Sequence, residues 1–131
     1  MNRFLVVVMA GMILLGCSKF PVDEDGLLIT NNSDCYVSNF DLLNPSEVSV
    51  KVNNANIDNI NGRIEVDVLF GTNTKKLWPV FSLATDCKLE PKITGWEDFS
   101  DTENNPKQYT VISGNRKVRK TYSVRVTVLN P

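Results

Sequence analysis

Four carboxylates crowd one short stretch of the chain: Glu97, Asp98, Asp101 and Glu103 fall within seven residues. Hard oxygen ligands at that density could hold calcium, yet their spacing matches no ordered calcium loop, and a solvated acidic loop is the favoured reading. No other set suggests a metal, and no cofactor is expected. Trp78 and Trp96 offer a second chemistry, because a flat indole can lie on a sugar ring while nearby polar side chains bond its hydroxyls. Trp78 stands in the hydrophobic segment Leu77-Trp78-Pro79-Val80-Phe81, where an aromatic ring ordinarily packs inward. Trp96, beside Gly95 and the acidic loop, is the better ligand candidate. The chain has no histidine, so the usual general base near neutral pH and the centre of Ser-His or Cys-His nucleophiles are both missing. Glu65 and Asp67, on the outward face of one strand, have no second catalytic partner. The sequence therefore reads as non-enzymatic.

The three cysteines divide by position. Asn2 and Arg3 give a short basic start, residues 4–15 form an apolar run, and Leu14-Leu15-Gly16-Cys17 closes it. This pattern resembles a lipoprotein signal, with residues 1–16 cleaved and diacylglycerol carried on the Cys17 thiol. About a dozen apolar residues are too few to span roughly 30 Å of hydrocarbon, which argues against a permanent transmembrane helix. Each buried CH₂ of the acyl chains would contribute about 0.8 kcal/mol, enough in sum to fix the chain to a membrane. Cys35 and Cys87 remain. In an oxidising compartment they could bridge, closing a loop of about fifty residues worth roughly 4 kcal/mol, or stay as two buried thiols acting as small hydrophobes.

Behind these groups the organising pattern is alternation of period two, bounded by Asn, Asp, Gly and Pro clusters, and it predicts strands. In residues 47–52, Val48, Val50 and Val52 share a face. In residues 63–70 the inward set is Ile64, Val66, Val68 and Phe70, and in residues 121–128 it is Tyr122, Val124, Val126 and Val128. Further strands are expected at 36–42, 77–83, around Leu89 and at 108–112, with Ser113-Gly114-Asn115 as a hairpin turn and residues 53–61 as a loop or short edge. The prediction is an all-β domain over residues 27–131: an immunoglobulin-like β-sandwich of about seven strands, with a small β-barrel as the alternative. Residues 17–26, with the acidic run Asp23-Glu24-Asp25, lack any periodicity and read as a lipidated tether.

Charge excludes one class of partner. Lys and Arg number 14 against 15 Asp and Glu, for a net charge of −1, so no global field draws the chain to nucleic acid. Arg116, Lys117, Arg119 and Lys120 concentrate positive charge around the final hairpin, where they could touch lipid head groups or an acidic polysaccharide, or simply keep an edge wet.

The C-terminal third carries a more specific signal: Gly95-Trp96-Glu97-Asp98-Phe99-Ser100, then Gln108-Tyr109-Thr110-Val111, then Lys120-Thr121-Tyr122-Ser123-Val124-Arg125-Val126. It resembles the immunoglobulin-like modules of Bacteroidetes surface lipoproteins. That resemblance implies a scaffold associated with glycan capture or with another envelope protein. It places the chain at the outer membrane, lipid-anchored, on the cell surface or facing the periplasm. Ser18 after Cys17, and the acids that follow, resemble outer-membrane and surface-export signals. The alternative role is a structural or assembly subunit with no small-ligand site. Independently of family, Phe99 and Tyr109 flank a polar loop and read as core rings. Cys17→Ser is expected to abolish incorporation of labelled palmitate in growing cells; undiminished labelling would remove the anchor.

Overall fold

The computed structural model describes residues 21–131, so Cys17 and the apolar run before it lie outside the described residues. These residues form seven strands and no helix: β1 Val37–Leu43, β2 Asn56–Asp58, β3 Arg63–Val68, β4 Trp78–Leu83, β5 Lys88–Glu90, β6 Lys107–Ile112 and β7 Arg119–Val128. β1 and β4 pair antiparallel as one sheet, and the other runs β2-β3-β7-β6-β5. The only parallel neighbours in that second sheet are β3 and β7, in register from Arg63↔Ser123 to Val68↔Val128. The two sheets face one another as a β-sandwich. Among the described residues no closed barrel forms.

The alternation read from the sequence sets the inward faces. Ile64, Val66 and Val68 of β3 and Tyr122, Val124 and Val126 of β7 are buried, and they meet Val37, Phe40 and Leu42 of β1. Phe81 of β4 links the layers, its ring centroid 4.8 Å from Phe40 and 4.9 Å from Tyr109. β1 breaks the period because its register slips between Val37 and Asn39. The extra residue, Ser38, bonds the Ser82 carbonyl, and the bulge lets Val37 and Phe40 both point inward.

Two expectations are corrected by where strands stop. Residues 47–52 make isolated bridges, Leu43↔Ser49 and Lys51↔Val68, rather than a strand. Glu47 sits at φ 62° in the preceding turn, and only Val50 of the three valines is buried; Val48 and Val52 are exposed. Phe70, expected inside, is 66% exposed, because β3 ends at Val68 and the chain turns at Gly71 (φ 83°). The stretch 53–61, by contrast, supplies the short edge strand β2.

Asn59 follows β2 and closes the sandwich. Its side-chain amide donates to the Val37 carbonyl at 3.1 Å, and its amide oxygen accepts the Val37 N–H at 3.1 Å and the Tyr122 hydroxyl. It thus imitates a neighbouring strand along the free edge of β1 and ties that edge to β7. Gly62 completes the turn at φ 70°; a Cβ there would stand 2.3 Å from the Thr121 carbonyl oxygen, so the close approach to β7 requires glycine.

Within the stretch 17–26 read as a lipidated tether, residues 22–25 make contacts with the domain. Val22 bridges Leu28, and Asp23 Oδ1 accepts the N–H groups of Asp25 and Leu27, shaping a small hairpin. Asp23 Oδ2 then lies 2.9 Å from Lys88 Nζ and 3.0 Å from Arg116 Nε, while Asp25 reaches Lys88 at 2.9 Å and Lys92 at 3.1 Å. Arg116 also donates to the carbonyls of Leu28, Ser113 and Gly114. This N-terminal clasp takes up Arg116, one of the four positive charges at the final hairpin. Of the rest, Arg119 pairs with Glu90 and Lys120 donates to the Asn59 carbonyl.

Two predictions follow the geometry. Asn59→Ala leaves the Val37 backbone and the Tyr122 hydroxyl without partners and should cost about 2–3 kcal/mol, read as a lower urea midpoint. The Lys88 ammonium, with backbone and Arg116 donors behind it, holds the Asp23 carboxyl well below the usual carboxylate range. A depressed carboxyl stabilises the fold above its ordinary value near 3.8, and that contribution is lost as pH falls through the lowered one. Clasp amides should therefore stay protected from hydrogen exchange through mild acid and open only below that range. Asp23→Asn should expose them already at neutral pH; equal protection in both proteins would refute the ion-pair account.

Candidate functional site

At the end of the sandwich away from the clasp, a pocket of about 430 Å³ is lined by Leu43, Glu47, Trp78 and Trp96. Trp78 opens β4 opposite Leu43, the last residue of β1. Trp96 arrives from the acidic loop because Leu77 and Glu97 form an isolated antiparallel bridge, with N–H···O distances of 3.1 and 2.8 Å. The fully buried Leu77 anchors that bridge. The indoles meet edge to face, centroids 5.6 Å apart at 84°, the arrangement the ring quadrupoles favour. Trp78 is half-buried, where the sequence put it in the core, and Trp96 is 40% exposed. Lys76 Nζ sits 5.9 Å from the Trp96 ring centre, a cation over the aromatic face.

The polar member of the pocket, Glu47, is the one sequence reasoning missed. Asn44 builds its turn: the Asn44 side-chain oxygen accepts the N–H groups of Ser46 and Val48 at 2.9 and 3.1 Å, and the Glu47 N–H donates to the Asn44 carbonyl at 2.8 Å. The signal present in the sequence was Asn44-Pro45-Ser46, a turn-forming run, but strand alternation in the valines that follow masked it. A hydrophobic wall of two indoles and Leu43 with a carboxylate at the rim can take up an apolar face that carries hydroxyl donors at its edge.

The four acidic residues do not converge into a cation site. Glu97 accepts the Tyr109 hydroxyl and lies 3.5 Å from Lys107 Nζ. Asp98 accepts the Ser100 N–H. Asp101 accepts the side-chain amides of Asn104 and Asn105, which lower its pKa, and Glu103 is exposed. Among the described residues no three acidic, cysteine or histidine groups are placed to hold a metal ion. These carboxylates shape the loop that carries Trp96. Burial, with the Glu97 carboxylate beside it, pushes the Tyr109 hydroxyl far above its ordinary value, so it remains a proton donor to Glu97.

Cys35 and Cys87 stand unbridged in this structure at the clasp end, and burial raises both thiols. Outside the pocket, Leu69 and Phe70 stand exposed beyond the Asn44 turn, beside a second hollow lined by Pro45, Val50 and Gly71.

Comparisons with known proteins agree with this architecture. A Bacteroides thetaiotaomicron protein described as a "putative glycoside hydrolase" superposes with a TM-score of 0.61 at 25% identity, over 78% of this chain and 27% of that one. A DUF4623 family protein of Bacteroides eggerthii gives 0.53 at 21% identity, over 75% of this chain and 22% of that one. The chain thus spans about a quarter of the length of either protein. A protein of Bacteroides fragilis described as a "putative secreted protein" shares the fold along 97% of its length, covering 74% of this chain, with a TM-score of 0.50 at 12% identity. Comparison with curated proteins finds no match. The family model described as "SGBP, N-terminal" matches residues 46–126, from the Glu47 turn through both tryptophans to β7, and the chain belongs to that family.

Proposed function

We propose that this chain is a membrane-anchored, non-enzymatic lipoprotein module that supports glycan binding at the cell surface, with the Trp78–Trp96 pocket as its contact. The observation that carries the proposal is the pairing of the two indoles with Glu47 in one open apolar pocket. Membership of a family associated with glycan binding supports the ligand class. Lipid on Cys17 supplies the membrane partner. Polarity supports the arrangement: β4 begins at Trp78 and ends at the turn leading to Lys88, so roughly 20 Å of strand separates the pocket from the clasp. The N-terminal anchor and the binding face then point in opposite directions.

The exposed Leu69 and Phe70 beside the same turn favour one alternative, contact with another envelope protein in a structural or assembly role. A glycan array probed with the full chain, followed by titration calorimetry on the best polysaccharide, decides between them. Trp96→Ala is expected to weaken glycan binding by roughly tenfold or more, with Phe70→Ser close to wild type. Trp96→Ala binding as well as wild type would overturn the site. No glycan bound, together with a co-purifying envelope protein lost in Phe70→Ser, would favour the alternative.

A further inference from the structure

We propose that Cys35 and Cys87 are the two halves of a structural disulfide, formed when the chain meets an oxidising compartment. The inference rests on the export reading above for its setting and on geometry for its substance.

The backbone brings the two residues together at the clasp end. The Ala84 N–H donates to the Tyr36 carbonyl at 3.0 Å, extending the β1–β4 pairing by one step. The chain then turns, with Asp86 at φ 68° and the Cys87 N–H on the Ala84 carbonyl at 3.1 Å. This turn folds Cys87 back until its Sγ donates to the carbonyl of Asp34, the residue before Cys35, at 3.0 Å. Cys35 in turn directs its own Sγ to the Val111 carbonyl at 3.3 Å, so the two side chains are held on adjoining stretches of backbone. Because Cys87 Sγ already touches the residue before Cys35, joining the two needs little backbone movement.

Access and reactivity define the route. Cys35 is buried, 8% exposed, whereas Cys87 lines an open hollow with Leu27, Leu83, Leu89 and Ile93. Because burial keeps both groups protonated, slow air oxidation is a poor source of the bond, and a protein disulfide donor is the class of oxidant required. The Cys87 thiolate attacks one sulfur of the donor, giving a mixed disulfide and one free donor thiol. The Cys35 thiolate then attacks the Cys87 sulfur and expels the second donor thiolate. Two electrons and both thiol protons pass to the donor, which leaves as a dithiol. The new bond joins the start of β1 in one sheet to the chain just before β5 in the other.

Counting free thiols tests this directly. Protein from the membrane fraction of the native host is denatured without reductant, treated with a polyethylene-glycol maleimide and separated by gel mobility. No adduct is expected before reduction and two after it, with one adduct in Cys35→Ser and one in Cys87→Ser before reduction. A single adduct in the wild type that disappears in Cys17→Ser leaves the disulfide standing and removes the lipid instead. Two adducts without reductant overturn the disulfide alone; three overturn both. Reduction should also lower the melting temperature by on the order of 10 °C, and an unchanged melting curve in a protein already free of maleimide adducts would deny the bond its structural role.

Discussion

Tyr109 and Tyr122 are direct cross-strand partners on β6 and β7, and both rings are buried in the middle of the sandwich. Two neighbouring phenols give the core much of its apolar area, but each brings a hydroxyl that burial would penalise if left alone. The Tyr109 hydroxyl ends on Glu97, and the Tyr122 hydroxyl ends on Asn59. Those two partners are not incidental. Glu97 bridges Leu77 and thereby sets Trp96 against Trp78, while Asn59 fastens the unpaired edge of β1 to the opposite sheet. One requirement, that buried hydroxyls be satisfied, therefore fixes both the aromatic pocket and the closure of the two layers. Among the described residues no buried side-chain nitrogen or oxygen lacks a partner.

Charge is organised as economically at the other pole. Lys88 has a side chain only 9% exposed, a position in which an ammonium needs close counterions. Asp23 and Asp25 provide them, and Arg116 holds the Asp23 carboxylate from its other side while bonding four carbonyls. Of the four cations at the final hairpin, Arg116 and Arg119 are paired with sequence-distant carboxylates. Burial of Lys88 and Asp23 separates the clasp from an exposed salt bridge, whose worth would be small.

Much of this was legible in the amino-acid order, and the failures have physical reasons. Strands β3, β6 and β7 followed from period two because each presents one dry face to a single core. Residues 47–52 carried the same alternation without becoming a strand, since the Asn44 turn, with Glu47 left-handed, sets their course before pairing can begin. Phe70 was misassigned because periodicity does not announce where a strand ends. The tryptophans were both visible as aromatic candidates, yet their meeting depends on the Leu77–Glu97 bridge, a contact between segments that no local pattern encodes. Glu47 was hidden differently, its turn signal at Asn44-Pro45-Ser46 masked by the alternating valines that follow. The acids of residues 23–25 read as part of a tether because their partners, Lys88 and Arg116, lie 63 and 93 residues away in the chain.

The clasp has a mechanical consequence. Only residues 18–20 stand between Cys17 and the folded Pro21, and four peptide steps reach at most about 14 Å even when fully extended. A lipid on Cys17 would hold the clasp end of the domain near the head groups, on a leash shorter than the domain itself. The domain could swivel but not roam, and the aromatic pocket would ride at a nearly constant height above the membrane. Cutting the Asp23 contacts would lengthen the leash by the whole hairpin and let the same pocket tilt, without altering any residue that lines it.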